Sequence, residues 1–102
     1  MRLLDSQLDD IRTVIPRYAG NGCKVYLFGS RLDDEARGGD VDLLIETPQY
    51  MSRMQRARLK MAIEAVLGLP VDLVVYSENE TPTAFQRIAK SRSTAIMDRE
   101  KL

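Results

Sequence analysis

Three short apolar runs constrain this chain most: Lys24 to Phe28, Val41 with Leu43 to Ile45, and Val71 to Tyr76. Each is rich in β-branched or bulky residues and stops at a turn-forming residue, which is the pattern of a buried strand. Between and around them the apolar period changes. Leu4, Leu8, Ile11, Val14, Ile15 and Tyr18 recur at helical spacing, which predicts a helix over residues 3–15 that Pro16 ends or kinks. Gly20-Asn21-Gly22 turns the chain into the first strand. Leu59, Ala62, Ile63, Val66 and Leu67 mark the apolar face of a second helix over about 52–67, with Ser52 and Gln55 as its capping box and Gly68 and Pro70 as its stop. Thr81-Pro82 is expected to open a last helix that runs to about Lys90, and Thr94 to Asp98 reads as a short edge strand. The order helix, strand, strand, helix, strand, helix implies an α/β (α+β) domain with one small mixed sheet covered by helices.

At 102 residues the chain is expected to form one domain over 1–102, with a core too small to divide between a catalytic and a substrate unit. Any large substrate must then be brought by another molecule. Fifteen basic and fifteen acidic residues leave a formal net charge of zero, so no overall field holds duplex DNA or an anionic membrane. One cysteine, Cys23, and no histidine exclude an internal disulfide and a Cys/His zinc site. No stretch has the ~20 apolar residues of a membrane-spanning helix, and the first ten residues lack the pattern of a cleaved signal. These features together read as a soluble, cytoplasmic protein.

The chemistry concentrates around Phe28-Gly29-Ser30 and, nine residues later, Asp40-Val41-Asp42. Residues two apart in a strand share a face with α-carbons roughly 6.6 Å apart, so Asp40 and Asp42 can aim both carboxylates at one spot. Two hard anions on one face suit a hard cation such as Mg²⁺ or Mn²⁺. Asp72, the one charge in the third strand, is placed near its start, where sheet pairing can bring it beside the first two. Three carboxylates can hold two metals about 3.5 to 4 Å apart, an arrangement that serves displacement at phosphorus. Gly29 gives close backbone approach, and Ser30 adds a hydroxyl and an amide suited to phosphate oxygens. Each piece alone has a plainer reading, a turn-favouring acidic pair or an ordinary loop. Their ordered combination is what points to a site.

These residues carry a resemblance. Leu27-Phe28-Gly29-Ser30-Arg31, Glu35-Ala36-Arg37, Asp40-Val41-Asp42-Leu43-Leu44-Ile45 and Val71-Asp72-Leu73-Val74 resemble the nucleotidyltransferase superfamily of the DNA polymerase β catalytic fold, and most closely its minimal nucleotidyltransferases. The resemblance implies the nucleotidyltransferase fold. It gives Gly29 and Ser30 to the triphosphate of ATP or another NTP, Asp40 and Asp42 to two Mg²⁺ ions, and Asp72 to the metal site and to the proton of the attacking hydroxyl. Arg31 and Arg37 become the nearby counter-charges for phosphate. Asp33 and Asp34 depart from the pattern, because close relatives often carry an arginine and a glycine there. The activity implied is Mg²⁺-dependent transfer of AMP from ATP to a hydroxyl on a partner, a HEPN-family protein that such chains neutralise as antitoxins. The acidic run Asp33-Asp34-Glu35 motivates an alternative, a binding module with a weakened nucleotide site that blocks its partner by contact. Homo-oligomer formation is left open.

Other candidates have plainer readings. Arg53, Arg56 and Lys60 form one flank of the second helix and read first as a solvated face. Met51, Met54 and Met61 read as core filling, with an adaptable partner surface as the other option. Tyr18 and Tyr26 are expected in the core, Tyr50 fits either place, and Cys23 is given no chemistry.

Overall fold

The computed structural model describes residues 4–28 and 41–97, which form three helices and a four-stranded sheet. In chain order these are α1 (Asp5–Ala19), β1 (Lys24–Phe28), β2 (Val41–Thr47), α2 (Arg53–Leu67), β3 (Val71–Ser77), α3 (Ala84–Ser91) and β4 (Thr94–Met97). The sheet order is β3-β2-β1-β4, with β1 antiparallel to both β2 and β4 and β2 parallel to β3. A parallel pair needs a crossover, and α2 is that crossover.

Alternation along the strands divides the sheet into two faces. Val25, Leu27, Val41, Leu43, Ile45 and Val71 turn to one side and are buried with Ile11, Val14 and Ile15 of α1 and Leu59, Ile63 and Leu67 of α2. Leu44 turns to the other side, where it packs with Tyr76, Ala89 of α3 and the partly buried Tyr26, Phe28 and Val74. The first face is covered by two helices, with Leu73 and Val75 of the outer strand partly buried at its edge. The second is covered only where α3 crosses it.

Local signals account for most of the boundaries. Ser52 Oγ accepts from Gln55 N at 3.1 Å while Gln55 Oε1 accepts from Ser52 N at 2.8 Å, the expected capping box of α2. Gly68 ends that helix with φ +68°, a left-handed conformation that favours glycine, and its amide donates to Glu64 O at 2.8 Å. β2 and β3 run on past the expected apolar ends to Thr47 and Ser77, and two helix boundaries also differ from expectation. Proline does not end α1, which continues three residues past Pro16 to Ala19. Proline removes one amide donor, while Pro16 O still accepts from Gly20 N at 3.1 Å, and buried Ile11, Val14 and Ile15 hold the turn before it. The cap of α3 is Thr83, two residues beyond Thr81, because Thr83 has Gln86 at the third helical position and completes a second capping box.

Side-chain placement also corrects three expectations. Met51 is core, whereas Met54 and Met61 are exposed, because they lie on the side of α2 opposite Leu59 and Ile63. Tyr18 is 44% exposed, at the last turn of α1, where the helix runs past the sheet-facing residues. Tyr50 is exposed, Tyr26 is half-buried under α3, and Cys23 is buried as a small apolar residue.

Candidate active site

β2 and β3 lie in parallel register from Val41 opposite Val71 through Thr47 opposite Ser77, so Asp42 stands opposite Asp72. Both are second residues of their strands and both turn to the face that α3 only partly covers. Adjacent strands are about 4.8 Å apart, so the two carboxylates share one end of that face. Asp42 is half-buried and Asp72 exposed. On the other side of β2, Phe28 stands opposite Asp42. The strand end that leads into Gly29-Ser30 therefore adjoins Asp42. Gly29, Ser30, Arg31, Arg37 and Asp40 lie outside the described residues, as do Asp33, Asp34 and Glu35. The described site is thus the pair Asp42 and Asp72, with Phe28 and Val41 as the ends of the segments on either side.

Two carboxylates at one end of a sheet face carry like charge, which a cation placed between them offsets. Their oxygens are hard donors, and a divalent cation of the Mg²⁺ type fits that chemistry. Among the described residues no group of three or more His, Cys, Asp or Glu side chains that could hold a metal ion gathers.

Four residues further along the same face lies a cluster that sequence reasoning missed. Tyr76 Oη donates to Glu46 Oε2 at 2.7 Å, Lys90 Nζ donates to the same oxygen at 3.1 Å, and Lys90 Nζ sits 5.4 Å from the centre of the Tyr26 ring. Burial pushes the Glu46 carboxyl up, but the hydrogen bonds from Tyr76 and Lys90 and the nearby lysine charges outweigh it and hold it below the usual carboxylate range. Burial and the Glu46 carboxylate push the Tyr76 phenol up to about 12. Burial alone would lower the Lys90 ammonium, and Glu46 raises it overall. Glu46 is about 13 Å along the strand from Asp42, too far for the two carboxylates to share one cation. Its role is to fix α3 on the sheet. The signal was legible only in part: Glu46 and Tyr76 repeat the period of Asp42 and Asp72, but Lys90 is distant in sequence. Beside the cluster an open cleft of about 300 Å³ is lined by Tyr76, Pro82, Arg87, Lys90 and Ser91.

The comparisons with known proteins bear on this arrangement. The family model described as Polymerase beta, Nucleotidyltransferase matches residues 11–101. The chain belongs to that nucleotidyltransferase family. A curated relative from Methanocaldococcus jannaschii, named there as a candidate protein adenylyltransferase, is 35% identical over 68 residues, covering 65% of this chain and 73% of its own. The fold is that of a toxin-antitoxin crystal structure with AMP-PNP, at TM-score 0.77 and 18% identity, covering 96% of this chain and 77% of the other. It is also that of an MNT antitoxin in complex with a tri-AMPylated HEPN toxin from Shewanella oneidensis, at TM-score 0.72 and 17% identity, covering 94% and 73%. The expected nucleotidyltransferase fold is therefore the observed one. Among the described residues no helix is long and apolar enough to cross a membrane.

Proposed function

We propose that this nucleotidyltransferase-family chain transfers AMP from ATP to a hydroxyl of a HEPN-family partner and thereby acts as that partner's antitoxin. The observation that carries the reading is the register of Asp42 against Asp72 on an open sheet face, beside the strand end that enters Gly29-Ser30. The candidate adenylyltransferase relative and the folds of the AMP-PNP-bound and HEPN-bound antitoxin structures support it.

In this reading Asp42 and Asp72, with Asp40, hold divalent Mg²⁺, which when bound supplies positive charge to the phosphate oxygens. Gly29 and Ser30 position the triphosphate through backbone approach and hydrogen bonds, with Arg31 and Arg37 as counter-charges. The acceptor oxygen forms a bond to the α-phosphorus as the bond from that phosphorus to the bridging oxygen breaks, and pyrophosphate leaves with the electron pair. Asp72 accepts the proton of the attacking hydroxyl. Most of the rate gain in such a step comes from alignment and charge stabilisation. The acidic run Asp33-Asp34-Glu35 supports a second reading, neutralisation by contact alone.

Asp72→Asn separates the two. It is nearly isosteric and removes the charge that would receive the proton. Intact-mass analysis of the partner after separate incubation with each NTP and Mg²⁺ should show added AMP with the wild type and ATP and none with Asp72→Asn, while binding persists. If Asp72→Asn neutralises the partner as well as wild type, with no nucleotide on the partner in either case, contact alone is the mechanism.

A further inference from the structure

A helix of a small domain normally carries one apolar stripe, directed at the core, and α2 carries two. Leu59, Ile63 and Leu67 make the buried stripe. Met54, Ala57, Met61 and Ala65 are exposed, recur at intervals of three and four residues, and lie about 180° around the helix from the first. Met54 is 64% and Met61 68% exposed, although methionine is an apolar, adaptable side chain suited to contact surfaces. Alongside Met61 an open groove of about 370 Å³ runs between α2 and the last turn of α1, lined by Tyr18, Arg58, Met61 and Ala62.

The charges bordering this stripe decide what fits it. Arg58 flanks one side and Arg53 and Lys60 the other, all three exposed. The one acid of α2, Glu64, is half-buried and accepts from Val71 N at 2.9 Å through Oε2, so it is committed to the sheet. A second copy pairing through its own α2 would bring these cations against themselves, which is destabilising at helix spacing. A helix with an apolar stripe bordered by Asp or Glu meets both the methionines and the arginines.

We propose that the outer face of α2, with the Tyr18 groove, docks an acidic amphipathic helix of a partner protein. This surface lies on the opposite side of the sheet from Asp42 and Asp72, since α2 packs on the face of Leu43 and Ile45 and the two aspartates turn to the other. A partner held there leaves the nucleotide side open. Docking and nucleotide binding are then separate events on one small domain.

The test titrates the full chain into a fluorescein-labelled helical peptide that carries leucines at i, i+3 and i+7 flanked by glutamates, and into its lysine-flanked twin, by anisotropy. The glutamate peptide should bind, more weakly as salt rises, and the lysine peptide should not. Met61→Glu and, independently, Arg58→Glu should each weaken binding about tenfold with thermal unfolding unchanged, because both side chains are exposed. Saturating ATP with Mg²⁺ should not displace the peptide. Absence of glutamate-peptide binding, equal binding of the twin, or indifference to both substitutions overturns the proposal. So does a wild-type dimer in sedimentation that Met61→Glu converts to monomer, since a second copy then occupies the face. Displacement by ATP overturns the separation of the two sites.

Discussion

Asp42 and Asp72 stand opposite each other across the only parallel strand pair among the described residues, and they do so because β2 and β3 start in register at Val41 and Val71. The register is fixed by Val41 N donating to Pro70 O at 2.9 Å at one end and Glu78 N donating to Thr47 O at 2.8 Å at the other. A slip of one residue would turn one carboxylate to the core face. Divalent metal should therefore stabilise the fold by relieving the repulsion. At ten times its dissociation constant a bound ion contributes about 1.4 kcal/mol, and each kcal/mol moves the melting temperature of a domain this size by about 4 to 8 °C. Thermal unfolding with Mg²⁺ or Mn²⁺ should show that rise in the wild type, and Asp42→Asn/Asp72→Asn should abolish it. A rise that is equal in both proteins would assign the metal elsewhere.

The Glu46 cluster predicts a pH window. Glu46 is held below its usual range in the fold, so its stabilisation is present above about pH 4.5 and is lost as pH falls through the folded value. Tyr76, pushed up to about 12, and Lys90, raised by Glu46, favour their protonated forms in the fold. Their stabilisation is present below about pH 10 and is lost as pH rises through their folded values. Glu46→Gln should remove the acid-side dependence and weaken the alkaline one, which burial of the Tyr76 phenol maintains, while costing about 1.5 to 3 kcal/mol at neutral pH, the range for hydrogen bonds to a charged group. Lys90 is partly solvent-screened and accounts for the smaller share. Urea melts from pH 3 to 11 on both proteins would read this directly, as a smaller loss of stability toward each end of the range in the variant than in the wild type.

What could be read from the residues was local or periodic. The Ser52 box and the Gly68 stop are encoded within a few residues and are found as expected, and the strands announce themselves by β-branched runs, although β2 and β3 run on to Thr47 and Ser77. The pairing of Asp72 with Asp42 was legible because Asp40-Val41-Asp42 opens one strand, Asp72 is the lone acid near the start of the other, and a parallel sheet aligns starts. The exposure of Met54 and Met61 was not legible, because residue type says apolar while only the helix's rotation against the sheet says which side faces out. Tyr76, Glu46 and Lys90 required a strand register and a helix docking that no short window contains. Pro16 was read as ending or kinking α1, and it does not end the helix, because the packing of Ile11, Val14 and Ile15 outweighs one missing amide.

The cap of α2 gives a simpler test. Ser52→Ala removes the acceptor of the Gln55 amide, and Gln55 then holds only half of a box. A loss of about 0.5 to 2 kcal/mol is expected, with an equal loss for Gln55→Ala only if the reciprocal bond to Ser52 N matters as much. Chemical denaturation of both single variants and the double variant would give the coupling. Additive losses would mean that the two bonds act independently.

β3 is an edge strand of seven residues with a single charge, which by itself is a template for unwanted pairing. The hydrogen bonds at Pro70 and Glu78 turn the even-numbered backbone groups of β3 toward β2, and so the amides of Val71, Leu73, Val75 and Ser77 face the free edge. Two of these four are covered. Glu64 of α2 accepts from Val71 N at 2.9 Å, and Glu80, in the turn after the strand, accepts from Ser77 N at 2.9 Å. The Ser77 amide lowers the Glu80 carboxyl from its usual range, which marks the charged form as the one that caps. Among the described residues this leaves Leu73 and Val75 to offer amides, too short a stretch for a stable strand partner. Glu64→Ala should cost about 1 kcal/mol through the lost hydrogen bond, and Glu64→Ala/Glu80→Ala should additionally expose the whole edge. Light scattering at rising protein concentration should then show association in the double variant and not in the wild type, with Leu73→Lys in the same background suppressing it. If the double variant stays monomeric up to the concentration at which the wild type is studied, the carboxylates contribute stability alone and the edge is guarded by something other than its capped ends.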